Sequence, residues 1–190
     1  MKKIALPFLL SWLMFPALTA QDSQVGTITY QQILHYSFEN IKIAHGADER
    51  TQDWIAALPQ EETSVQVLSF TGEKSLFTED ESEKAATPEG LQRALMYENS
   101  LQAPRPVIQK VYLDFVKGQK LEQVEYLTRI FLVTSEVEAL AWKLGSDKKK
   151  ILDFTCMSAS LTLDDQELVA WFGPEIPVPL GPSVYGGLPG

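Results

Sequence analysis

Cysteine occurs once in this chain, at Cys156, and histidine only twice, at His35 and His45. A single cysteine excludes an internal disulfide, and these three residues have none of the short spacings by which a metal is held, so no metal centre is expected. His35 falls on the polar side of an alternating stretch and His45 stands beside Gly46 in an expected loop, which makes both ordinary surface histidines. The sequence also lacks the nucleophile elbow of serine hydrolases and the glycine-rich loops that cradle phosphate. Asp164 and Asp165 are adjacent on an expected turn and point apart, so they are a hairpin tip and not an acid and base pair. These gaps point away from an enzyme and from any cofactor.

Basic residues are scarce too, with 16 Lys and Arg against 25 Asp and Glu. That balance argues against nucleic acid as a partner. The Lys148-Lys149-Lys150 run reads as a solvated turn, and the acidic stretch over residues 73–89 as a solvated loop. Apolar runs are short as well. Residues 4–15, interrupted by Pro7 and Ser11, fall below the roughly 20 residues of a spanning helix. With Lys2 and Lys3 before it and Leu18-Thr19-Ala20 after it, this run has the form of a signal peptide over residues 1–20, cleaved before Gln21. No cysteine lies near that point to be acylated. The expectation is an exported periplasmic or envelope protein that is no lipoprotein, has no membrane span after cleavage, and carries a net charge of about −11.

What the chain does have is period-two alternation. Residues 28–38 alternate well enough for a half-buried strand. Residues 65–70 and 75–77 flank a turn at Thr71-Gly72-Glu73, and residues 107–115 and 121–134 form two long strands around Lys117-Gly118-Gln119. A short strand over 139–144, a polar turn over 145–149, and strands over 151–163 and 168–172 follow. A bulge near Thr155 or Cys156 would reconcile a change of parity there. Helical spacing is confined to residues 47–58, ended by Pro59, and to residues 90–97. The fold class is therefore mainly β. It is a single domain over residues 21–190, built as one strongly bent antiparallel sheet, an open or half barrel. One or two short helices lie over its concave side, and a Pro/Gly-rich strap closes the chain.

That strap is the final stretch, WFGPEIPVPLGPSVYGGLPG, residues 171–190. Five prolines fix φ and remove donors, so it runs extended and cannot be a helix or a central strand. Gly181 and the glycines after Tyr185 permit bends. Its apolar contacts are expected from Trp171, Phe172, Ile176, Val178, Leu180 and Tyr185.

The stretch also resembles the signature of the GLPGLI family, exported bacterial proteins of unassigned biochemical role. The positions that carry the likeness are Trp171, Pro174, Pro177, Gly181, Pro182 and Tyr185, then the ending Gly187-Leu188-Pro189-Gly190. LDFTCMSA around Cys156, Trp142-Lys143-Leu144 and VLSFTGEKSLF at residues 67–77 are similar to the family's earlier strands. The resemblance implies a Leu-Ile continuation and further strands beyond Gly190, so the sheet's closing edge is expected to be incomplete.

Cys156 shares a strand face with Ser158, Ser160 and Thr162. It is open to three readings: an inert, partly covered thiol, an intermolecular disulfide, or a reactive site. For the protein as a whole, the first expectation is a non-catalytic envelope protein that binds an apolar or extended ligand, a lipid or a peptide, in the concavity of the sheet. The other is an interaction module that docks an outer-membrane or periplasmic partner protein.

Overall fold

A computed structural model describes residues 25–45, 48–163 and 166–189. The expected signal peptide, the Asp164-Asp165 tip and Gly190 lie outside the described residues. Nine strands and three helices follow in the order β1 (Val25–His35), α1 (Glu39–His45), α2 (Glu49–Ala56), β2 (Glu61–Thr71), β3 (Lys74–Glu79), α3 (Glu89–Ser100), β4 (Val107–Asp114), β5 (Gln119–Tyr126), β6 (Arg129–Glu136), β7 (Lys143–Ile151), β8 (Phe154–Leu163) and β9 (Gln166–Phe172). The fold is mainly β, entirely antiparallel, and not closed into a barrel.

The strands divide into two sheets where one was expected. β1 to β6 form a six-stranded meander and β7 to β9 a three-stranded one. The break falls between Glu136 and Lys143, where the chain leaves strand geometry for six residues. Register fixes the faces of the larger sheet, because directly opposed residues share a side. Ile28, Leu68, Phe77 and Val111 stand in one row, and Tyr30, Gln66 and Glu79 in the next. This is the covered face: Leu68, Ser75, Val111 and Leu113 on it are almost wholly buried. It ends on β5 at a mostly covered ion pair, Lys120 Nζ to Glu122 Oε2 at 3.2 Å.

Among the described residues there are three helices where one or two were expected, and they pack on one another. Phe38, Ile41, Ile55, Leu58, Leu91 and Ala94 form a core drawn from the helices and the residues beside them. Phe38, expected as a strand residue, is 2% exposed there. Glu98 of α3 fastens this cluster. Its carboxylate accepts from the backbone amides of Asn40 at 3.2 Å and Ile41 at 3.0 Å, filling orphan donors at the start of α1, and from Asn40 Nδ2 at 2.6 Å. α1 also takes in His45, which was expected in a loop.

Three other strand expectations are corrected. The long strand expected over 121–134 is a hairpin, turning at Leu127 and Thr128 with φ of 48° and 63°. The polar stretch 145–149, expected as a turn, is the middle of β7, an edge strand where lysines and a glycine are tolerated because one side faces solvent. No bulge is needed at Thr155 or Cys156. The chain turns at Leu152, φ 53°, and the register shift lies on β7 between Leu144 and Lys148. Residues 75–77, expected as a strand, lie within β3, so the acidic stretch 73–89 becomes a loop only after Glu79.

Candidate functional site

The strap leaves β9 through a turn in which the Ile176 amide donates to Gly173 O at 3.0 Å. Over residues 176–180 it is neither helix nor strand, drawn in where the Val178 amide donates to Ile176 O at 2.9 Å, with Pro177 and Pro179 outward and Leu180 only 5% exposed. A proline cannot donate to a ladder, so this run lies beside the sheets without joining either. It then closes a loop on itself. The Gly187 amide donates to Pro179 O at 2.9 Å, and the Tyr185 amide to Pro182 O at 3.0 Å. Ser183 and Gly187 hold φ of 56° and 98° inside that loop. Gly181 is fixed by space: a Cβ there would sit 1.8 Å from Tyr185 O.

This loop is the meeting point of the two sheets. Trp142, in the segment that joins them, donates its indole N–H to Gly186 O at 3.0 Å. A Cβ on Gly186 would meet the Phe115 ring, just beyond β4, at 3.7 Å. Three cavities share the loop as a wall. The first, about 720 Å³, lies on the covered face of the six-stranded sheet and is bordered by Ser183 and Tyr185. The second, about 470 Å³, reaches from Leu113 and Phe115 to Val184 and Gly187. The third, about 310 Å³, lies between Tyr30 of β1 and Trp171 of β9, under Pro182, Tyr185 and Leu188.

The first cavity has polar as well as apolar walls. Leu34, Phe77 and Val111 line it, but so do Gln32, Ser64 and Gln66. Gln66 Nε2 donates to Gln32 Oε1 at 3.0 Å and to Ser64 Oγ at 3.2 Å. Its rim is charged. Tyr36 donates its hydroxyl to Glu62, Thr87 donates to Glu62 Oε1 at 3.4 Å, and Lys84 Nζ stands 2.7 Å from Glu79. Burial, followed by the hydrogen bond to Glu62, pushes Tyr36 up to about 12. The hydrogen bond from Lys84 to Glu79 holds that ammonium above its usual range.

The signature residues fall into two groups. Gly181, Pro182, Tyr185, Gly187 and Leu188 border cavities, and Trp171 walls the third with Lys149 Nζ 4.2 Å from its ring centroid. Pro174 and Pro177 are outward residues of the exit turn and the run after it, and Pro189 follows the loop. Cys156 stands apart from these cavities. It is 6% exposed, more deeply covered than its strand pattern suggested, and its thiol reaches Phe154 O at 4.0 Å. His35 lies on the surface, 3.5 Å from Glu61. Among the described residues no three His, Cys, Asp or Glu side chains converge as metal ligands would.

Sequence reasoning did not single out Tyr30, Trp142, Gln32 or Gln66. Trp142 carried a signal, its place in the resemblance; the others needed the strand register.

A family model described as a protein of unknown function (Porph_ging), related to GLPGLI-type families, matches residues 160–190. That match starts within β8, crosses β9 and includes the whole strap, so the likeness is concentrated in the last strand pair and the loop that borders the three cavities. No curated protein matches the chain.

Proposed function

We propose that this is a non-catalytic, exported binding protein that holds an extended, peptide-like ligand in the 720 Å³ cavity on its larger sheet, with the strap as one wall. The observation that carries this reading is the Gln32, Ser64 and Gln66 network beside Leu34 and Phe77. Gln66 spends its amide N–H groups on Gln32 and Ser64, and among the described residues neither Gln66 Oε1 nor Gln32 Nε2 is seen with a partner. One acceptor and one donor are what a peptide group needs, since it offers one N–H and one C=O. The neighbouring apolar side chains suit alternate side chains of an extended chain. An address outside the cytoplasm is supported by the basic, apolar and small-residue order of residues 1–20. No helix among the described residues is long and apolar enough to cross a membrane.

The test is a calorimetric titration of the mature protein with short uncharged peptides and, separately, with a long-chain fatty acid. Saturable peptide binding that weakens about tenfold in Gln66→Leu supports the reading. Peptide binding indifferent to Gln66→Leu, or binding of the fatty acid alone, overturns it.

A second reading, docking of an envelope partner, is favoured by β6. All eight of its residues are exposed, including Ile130, Phe131, Leu132 and Val133, and among the described residues it pairs only with β5. An edge of this kind is open to an added strand. Leu132→Lys should then abolish capture of that partner and leave peptide titration unchanged.

A further inference from the structure

We propose that the 310 Å³ cavity under the strap is a second binding site, for a small flat aromatic molecule carrying one hydroxyl or similar hydrogen-bonding group. Its walls are Tyr30, Trp142, Trp171, Phe172 and Tyr185, with Leu188 at its border. Five aromatic side chains around one small cavity offer ring faces and edges to a planar guest. The volume lies at the lower end for small-molecule sites, so the guest is of one or two fused rings.

The hydroxyl of Tyr30 supplies the polar requirement. It is buried and has no hydrogen-bond partner among the described residues. Buried hydroxyls nearly always have one, and a phenol can either donate or accept. Trp142 does not compete for the guest, because its indole N–H is committed to Gly186 O. Tyr30 is held in place by Phe77, with ring centroids 6.1 Å apart in an edge-to-face arrangement. Desolvation raises its pKa, which keeps the hydroxyl neutral and able to donate. This site differs from the polar cavity above in position and chemistry, and it does not depend on a peptide binding there.

Equilibrium dialysis of the mature full chain against 2-naphthol and against naphthalene tests the proposal. The two probes share a shape and differ by one hydroxyl. One 2-naphthol per chain is expected, with naphthalene about fivefold weaker, the share of a single hydrogen bond. Tyr30→Phe should bring 2-naphthol down to the level of naphthalene and leave naphthalene unchanged, while Trp171→Ala weakens both. Absence of saturable 2-naphthol binding, or a fivefold preference that survives Tyr30→Phe, would overturn the assignment.

Discussion

Replacing Gly181 by alanine should open the strap loop. The new Cβ would lie 1.8 Å from Tyr185 O and 2.7 Å from Tyr185 C, and because both are backbone atoms no rotamer change relieves the contact. Residues 181 and 185 must separate. That movement breaks the bond from the Gly187 amide to Pro179 O and moves Gly186 O away from the Trp142 indole. Two hydrogen bonds at about 1 kcal/mol each, with partial uncovering of Leu180, put the loss at about 3 kcal/mol. At a urea slope of about 2 kcal/mol per molar for a chain of this size, the midpoint falls by about 1.5 M. Gly187→Ala is the control. It meets no atom closer than 3.9 Å and only the φ of 98° resists it, so its loss should stay near 1 kcal/mol. Equal midpoints for the two variants, both within about 0.3 M of the parent, would refute the claim that close backbone contact in the loop holds the strap.

Three other perturbations test separate parts of the account. Trp142→Phe keeps an aromatic ring, though a smaller one, but removes the donor to Gly186 O, and should cost about 1–2 kcal/mol in urea unfolding. Glu98→Ala strands the Ile41 amide and Asn40, and should cost about 2–3 kcal/mol, with the helical signal melting before the strand signal if the helical core unfolds first. Tyr36 is pushed above its ordinary value of 10.0 to about 12, so the stabilisation it gives is complete below pH 10 and is lost as the pH rises through 12. Melting temperature should therefore drop more steeply between pH 10 and 12 in the parent than in Tyr36→Phe; identical slopes would show that Tyr36 does not contribute.

The parts of this fold that could be read from the sequence are those where one local rule governs. The Ile28, Tyr30 and Gln32 alternation belongs to β1, Gly72 turns β2 into β3 with φ 58°, and prolines keep the strap out of both sheets. Where tertiary context overrode the local rule, the reading failed. Leu127 and Thr128 accept positive φ in a hairpin turn that usually calls for Asn-Gly, so nothing marked the end of β5. β7 carries four lysines because it is an edge, a property that no window of sequence displays. Phe38 continued the alternation of β1 by chance and belongs instead to the helical core.

The candidate site divides in the same way. Tyr185 and Trp171 were visible as apolar strap contacts, and both wall cavities. The polar lining was not visible, because Gln32 and Ser64 become neighbours only through the pairing of β1 with β2. A concavity expected to be apolar thus gained an amide network from residues about thirty positions apart in sequence.

Native mass spectrometry of the mature protein, isolated without denaturation and then mixed with a short peptide library, reads out whether the strap-walled cavity takes up peptide. A compact charge-state distribution that carries peptide mass is expected in the parent, and loss of that mass in Gln66→Leu, with both proteins equally compact. A compact parent that takes up no peptide, or one that retains it equally in Gln66→Leu, would contradict the assignment of the strap-walled cavity as the binding site.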